Sequence, residues 1–125
     1  MSDPIADLII RIKNAQSSQQ NELMVPFSSY KVSILEVMKK YDLISEVEVK
    51  PGKKFKTILI KFGNKQIYHI KRISKPGRKY YVKADQIPRP LRGMGLIILS
   101  TPVGVISGNE ARKLKIGGEL ICEAW

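Results

Sequence analysis

Apolar residues in the first third of the chain recur at helical spacing. Ile5, Leu8, Ile9 and Ile12 mark one face. Asp3-Pro4 suits the start of that helix, because aspartate accepts from free amides and proline fits the first helical position. Ile10 lies off the face, so the pattern predicts a helix covered on two sides. Gln16 to Asn21 is polar and predicts a mobile loop. Glu22 to Val25 predicts a short strand that Pro26 ends. Ser28 or Ser29 is placed to cap a second helix. In it Ile34, Leu35, Met38 and Tyr41 form the apolar stripe, and Lys31, Lys39 and Lys40 point to solvent. Ile44 to Lys50 and Phe55 to Phe62 read as a strand hairpin around Lys50-Pro-Gly-Lys53.

Gly63-Asn-Lys65 is the expected boundary between two lobes, 1–64 and 65–125. Beyond it helical periodicity gives way to alternation. Gln66 to Ile73 reads as a strand, Lys75-Pro-Gly-Arg78 as a turn and Tyr80 to Lys83 as a returning strand. Ala84 to Leu91 holds two prolines and leaves room for one helical turn at most. Gly93-Met-Gly95 leads into a strand, Leu96 to Leu99, expected to end at Ser100-Thr101 in a hydroxyl-rich loop. Ser107-Gly-Asn-Glu110 fits a capping box for one or two turns of helix over Ala111 to Leu114. Gly117-Gly118 is expected to stop that helix by adopting positive φ. Leu120 to Trp125 closes as a strand. The fold class is α+β: an N-terminal α/β lobe (helix, strand, helix, strand, strand) and a C-terminal, mainly antiparallel β lobe with a short helix.

Charge changes the picture. The net charge is +11 over 125 residues, and it is unevenly placed. Residues 1–50 carry six Lys/Arg against seven Asp/Glu; residues 51–125 carry sixteen against four. Thirteen of those bases fall within 51–92, beside one acid, Asp85. A folded segment so lopsided favours a polyanion, most often nucleic acid. No apolar run approaches the ~20 residues that span a bilayer, so no membrane partner is expected. Met-Ser-Asp-Pro lacks the basic and apolar regions of a signal peptide. The single cysteine, Cys122, cannot form an internal disulfide and fits a reducing compartment.

Catalytic chemistry finds little footing. One histidine, His69, lies within a predicted strand, and one Cys with one His does not make a zinc site. No nucleophile elbow or phosphate-binding loop occurs. Neither an enzyme nor a cofactor is expected. RNA binding fits better. Ser100 and Thr101 offer hydroxyls that both donate and accept, and Gly104 has no side chain to hold a backbone away. As strand neighbours, Tyr80 and Tyr81 face opposite ways. One is expected in the core and the other outward as a stacking platform, among Lys75, Arg78, Lys79 and Lys83.

Ser100-Thr-x-x-Gly-Val-Ile with Ala111-Arg and Gly117-Gly-Glu119 resembles the C-terminal signature of bacterial-type small-subunit ribosomal protein eight. Asp3-Pro-Ile-Ala-Asp7, Arg11-Ile-Lys-Asn-Ala15, Lys75-Pro-Gly-Arg78 with Tyr81, and Ile87-Pro88 extend the resemblance over nearly the whole chain. The resemblance implies a two-lobed protein of the small ribosomal subunit that binds the central domain of its rRNA early in assembly, beside neighbouring ribosomal proteins. It implies a cytoplasmic location, with an organellar ribosome left open. It also implies contacts from Ser100, Thr101 and the loop through Pro102 to Gly104, from Tyr81 and Lys31, and a supporting role for Glu119. The family's repression of its own operon makes an mRNA regulator the alternative reading, which can coexist with the first. The sequence departs from the family where Ser-Thr-Ser-Lys-Gly is usual. Pro102-Val103 here removes a hydroxyl, an amide donor and a positive charge, so binding should lean on Ser100, Thr101 and the surrounding bases.

Overall fold

The computed structural model describes residues 2–125. The chain divides into two compact units, Ile5–Ile67 and Tyr68–Trp125, the latter joined by the first residues through Pro4.

In the first unit the order is α1 (Pro4–Ser17), β1 (Glu22–Pro26), α2 (Ser29–Lys40), β2 (Glu46–Lys50) and β3 (Thr57–Lys61). Ile5, Leu8, Ile9 and Ile12 are buried as their spacing predicts, and Ala15 joins them. Ile10 is 55% exposed, so α1 is covered along one stripe, not two sides. The helix also runs through Gln16 and Ser17, which shortens the polar loop. Gln16 has a task there, since its Oε1 accepts the Ile67 amide at 3.2 Å. Ser28 caps α2 by accepting from Lys31 N at 3.1 Å.

The three strands form an antiparallel sheet in the order β1-β3-β2. Val25 stands opposite Ile58, and Leu23 and Val47 flank Ile60. Ile58 and Ile60 are fully buried, while Met24 on the other face is exposed. Pro26, which cannot donate, sits at the end of an edge strand.

In the second unit β4 (Ile70–Arg72), β5 (Tyr81–Val82), β6 (Leu96–Thr101), β7 (Gly104–Ser107), α3 (Gly108–Leu114) and β8 (Gly118–Ala124) follow. β8 is central. It pairs with β6 on one edge, β6 pairs onward with β7, and β4 and β5 share the other edge. Tyr80 to Lys83 is therefore not a strand returning along β4. Ile73 and Ser74 continue the β4 edge by donating to Ile121 O and Leu120 O, the chain loops out, and Tyr80 O accepts from Leu120 N. Lys75 and Arg78 close the loop with two reciprocal backbone bonds. The strand expected over Gln66 to Ile73 shrinks to Ile70–Arg72, although His69 still exchanges bonds with Trp125. Two short 3-10 turns, Ala84–Gln86 and Pro90–Gly93, replace the single turn expected there.

The largest departure lies after Leu99. β6 runs on through Ser100 and Thr101, and β7 pairs back along it with Thr101 opposite Gly104. The hydroxyl-rich loop is thus the tip of a β-hairpin, with Pro102-Val103 as its two turning residues. Ser107 then caps α3, its hydroxyl accepting from Glu110 N at 3.2 Å. The helix ends at Lys115 in the left-handed region (φ 57°), before either glycine. Gly117 and Gly118 do something else. A Cβ on Gly117 would stand 2.1 Å from Val82 O, and one on Gly118 2.1 Å from Ser100 O. They let backbone pass backbone. Ile97, Leu99, Ala111, Leu120 and Ile87 make the buried cluster of this unit.

Candidate nucleic-acid interface

A β-bulge sets the geometry of the sheet's open end. Along β6 and β8, Ile98 pairs with Cys122 but Leu99 pairs with Leu120. Ile121 is the extra residue on β8. Without it Leu120 would stand opposite Ser100; with it, Glu119 does. Glu119 also stands opposite Tyr81 on the other edge, and Ser100 opposite Val105 of β7. Directly opposed residues of antiparallel strands share a face. Tyr81, Glu119, Ser100 and Val105 therefore lie in one row across four strands, on one face. Tyr81 is 68% exposed and the other three are half-buried.

The hairpin tip borders this row. Thr101 stands on the opposite face from Ser100, as alternation requires. Its Oγ1 donates to Gly104 O at 2.7 Å and accepts from Val103 N at 3.3 Å. The hydroxyl thus braces the turn from inside. Proline at the first turning position presets φ for it. Gly104 has φ +119°, a conformation that strains any side chain, and open space beside it. Pro102, Val103 and Gly104 are exposed.

The remaining candidates separate. Tyr80 is 44% exposed, not core, and Arg78 lies over its ring with the guanidinium carbon 5.8 Å from the centroid. Because Tyr80 and Tyr81 alternate, that pair belongs to the opposite face from the Tyr81 row. Lys79 and Lys83 are exposed, and Lys83 N donates to Gln86 Oε1 at 3.2 Å. Lys31 is in the other unit and does not face solvent. It is 6% exposed, and its ammonium donates to Pro26 O at 3.2 Å. The first turn of α2 lays the aliphatic stem inward, so the side chain is spent locally on tying helix to strand.

Two features escaped sequence reasoning. The bulge at Ile121 carries no composition signal, yet it decides that Glu119 enters the row. The double glycine looked like punctuation, whereas it is a close approach between strands that are distant in sequence.

Among the described residues, no three His, Cys, Asp or Glu side chains gather as a metal site requires. His69 stacks on Trp125 with centroids 4.0 Å apart, and its Nε2 lies 3.2 Å from Glu123 Oε2. Cys122 is buried, and that burial pushes its thiol up to about 12; Glu123 adds to the rise and Arg72 opposes it. It is a packing residue.

Fold and site together define a small, basic α+β protein with an exposed polar and aromatic row on its second sheet. Comparison with known proteins gives the family. Residues 3–125 match the family model described as ribosomal protein S8. Over its whole length the chain is 44% identical to the small ribosomal subunit protein uS8 of Thermus aquaticus, covering 99% of that protein. It is 43% identical to those of Sorangium cellulosum and Dictyoglomus thermophilum, covering 99% and 98% of them. The chain belongs to the ribosomal protein S8 family.

Proposed function

We propose that this chain is a structural constituent of the small ribosomal subunit, acting in the cytoplasm, whose second unit binds the central domain of the subunit's rRNA. The observation that carries the proposal is the row Tyr81, Glu119, Ser100. It offers a ring for stacking, a carboxylate acceptor and a hydroxyl, side by side beside an exposed hairpin tip. Tyr81 is assigned a base or sugar. Ser100 and Glu119 are assigned base edges or 2′-hydroxyls, which is how single-stranded and irregular RNA is read. Glu119 accepts and cannot donate, so it selects an amino, imino or hydroxyl donor and repels a phosphate. Lys79 and Lys83 are assigned phosphates, with Pro102 and Gly104 as the surface on which the RNA backbone rests. Lys31 is left to hold α2 and β1 together.

Assembly tests the reading. The protein should cosediment with small subunits at moderate salt, and Ser100→Ala with Tyr81→Ala should lose that association. An equal association for the double variant would remove the row from the interface. The family's operon mRNA is proposed to occupy the same row. A leader RNA that competes evenly with the rRNA fragment supports that second role, and one that fails to compete excludes it.

A further inference from the structure

On the opposite face of the same sheet lies a cleft of about 410 Å³, within the range of small-ligand sites. Its floor is apolar: Ile73, Ile97 and Leu120. One wall carries Tyr80, and Pro88 with Pro90 contributes further to the lining. Lys71, Lys75 and Arg78 border it. Arg72 borders it as well, but its guanidinium is committed to Asp3 Oδ2 at 3.3 Å and Ile121 O at 2.8 Å. The single acid is Glu123, whose carboxylate already meets His69 Nε2.

We propose that this cleft holds one unpaired nucleotide of an RNA strand, as a second contact distinct from the Tyr81 row. The proposal rests on the reading that this unit binds RNA. A bare phosphate would leave the apolar floor and the aromatic wall unused. An apolar ligand would make no use of Lys71, Lys75 and Arg78 at its border. A nucleotide uses both halves: its base lies on the floor against Tyr80, and its phosphate meets Lys75 and Arg78 at the rim. Arg78, already over the Tyr80 ring, is placed to follow either the ring or the phosphate. The loop bearing these residues is closed on itself by the Lys75–Arg78 bonds. Tyr80 is anchored through its backbone to Ser74 Oγ and Leu120 N. Its ring can therefore be changed without releasing the strand.

The probe is a short single-stranded RNA carrying one 2-aminopurine, whose fluorescence falls on stacking, titrated against the full chain. Tyr80→Ala should weaken binding at least about fivefold, the lower end for loss of one stacked base, and Tyr80→Phe should restore it. Tyr68→Ala removes a more exposed ring outside the cleft and should change nothing. The row is read separately, from a structured central-domain RNA on Tyr81→Ala, so that the two surfaces fail independently. Undiminished binding by Tyr80→Ala overturns the proposal. Displacement of the strand by adenosine monophosphate at equal concentration also overturns it, because the cleft would then be a site for free nucleotides.

Discussion

Gly118 passes Ser100 so closely that a Cβ at position 118 would lie 2.1 Å from the Ser100 carbonyl oxygen. The obstacle is backbone, which cannot swing aside as a long side chain can. Gly118→Ala must therefore push β8 away from β6 exactly where Glu119 meets Ser100. We expect a loss of roughly 1–3 kcal/mol, as for overpacking, seen as a fall of several degrees in Tm. RNA affinity should fall further than the lost stability alone explains. An unchanged Tm would show that the strands have slack at this crossing.

Thr101 is expected to act through the turn. Thr101→Val keeps the shape but removes both the donor to Gly104 O and the acceptor for Val103 N. The expected cost is about 1 kcal/mol in stability, together with faster amide exchange at Val103. Thr101→Ser should restore both. If exchange is unaffected while RNA binding collapses, the hydroxyl serves RNA directly and not the turn.

Pro102 has the opposite balance. Pro102→Ser frees the unfolded chain and should cost about 0.4–1 kcal/mol in stability. It also returns a hydroxyl and an amide donor to an exposed tip, and so should raise affinity for the central-domain RNA. Weaker binding would mean that a preset turn matters more than the contacts it forgoes.

Cys122 gives the stability a slope at high pH. The buried thiol is pushed up to about 12, while an exposed thiol in the unfolded chain titrates near ~8.5. Between those values the unfolded chain has released a proton that the folded chain keeps. Stability is therefore complete below the unfolded value and falls as pH rises towards the folded one. The contribution is about 1.4 kcal/mol per pH unit from this group. Denaturant melts from pH 8 to 11 should show the slope, and Cys122→Ala should reduce it. Rapid reaction of the native thiol with a disulfide reagent at pH 8 would contradict the burial on which the slope depends.

Local pattern was a good guide wherever neighbours along the chain decide the outcome. The stripe Ile5, Leu8, Ile9, Ile12 and the Ser28 and Ser107 caps are set within a turn or two. It failed where partners come from far away. Lys31 looks solvent-facing on a helical wheel, but Pro26 supplies a carbonyl that draws it in. Val105-Ile106 of β7 is too short to show alternation, and only pairing with Leu99 and Ser100 makes it a strand. Gly117-Gly118 follows a helix and so looks like its stop, yet Lys115 had already turned the chain. A sequence can name candidate residues but not divide them between two faces, because that division depends on one bulge and on which edge of β8 receives β5.

The row Tyr81, Glu119, Ser100 is proposed to recognise a particular RNA shape beyond the pull of positive charge. The direct measurement is a salt titration of binding to a short RNA carrying the central-domain site, beside an unrelated duplex, for the native chain and for Tyr81→Ala with Ser100→Ala. Phosphate attraction weakens steeply with salt for both RNAs. A preference for the central-domain RNA should survive raised salt and disappear in the double variant. Equal binding to the two RNAs, falling together as salt rises, would contradict it.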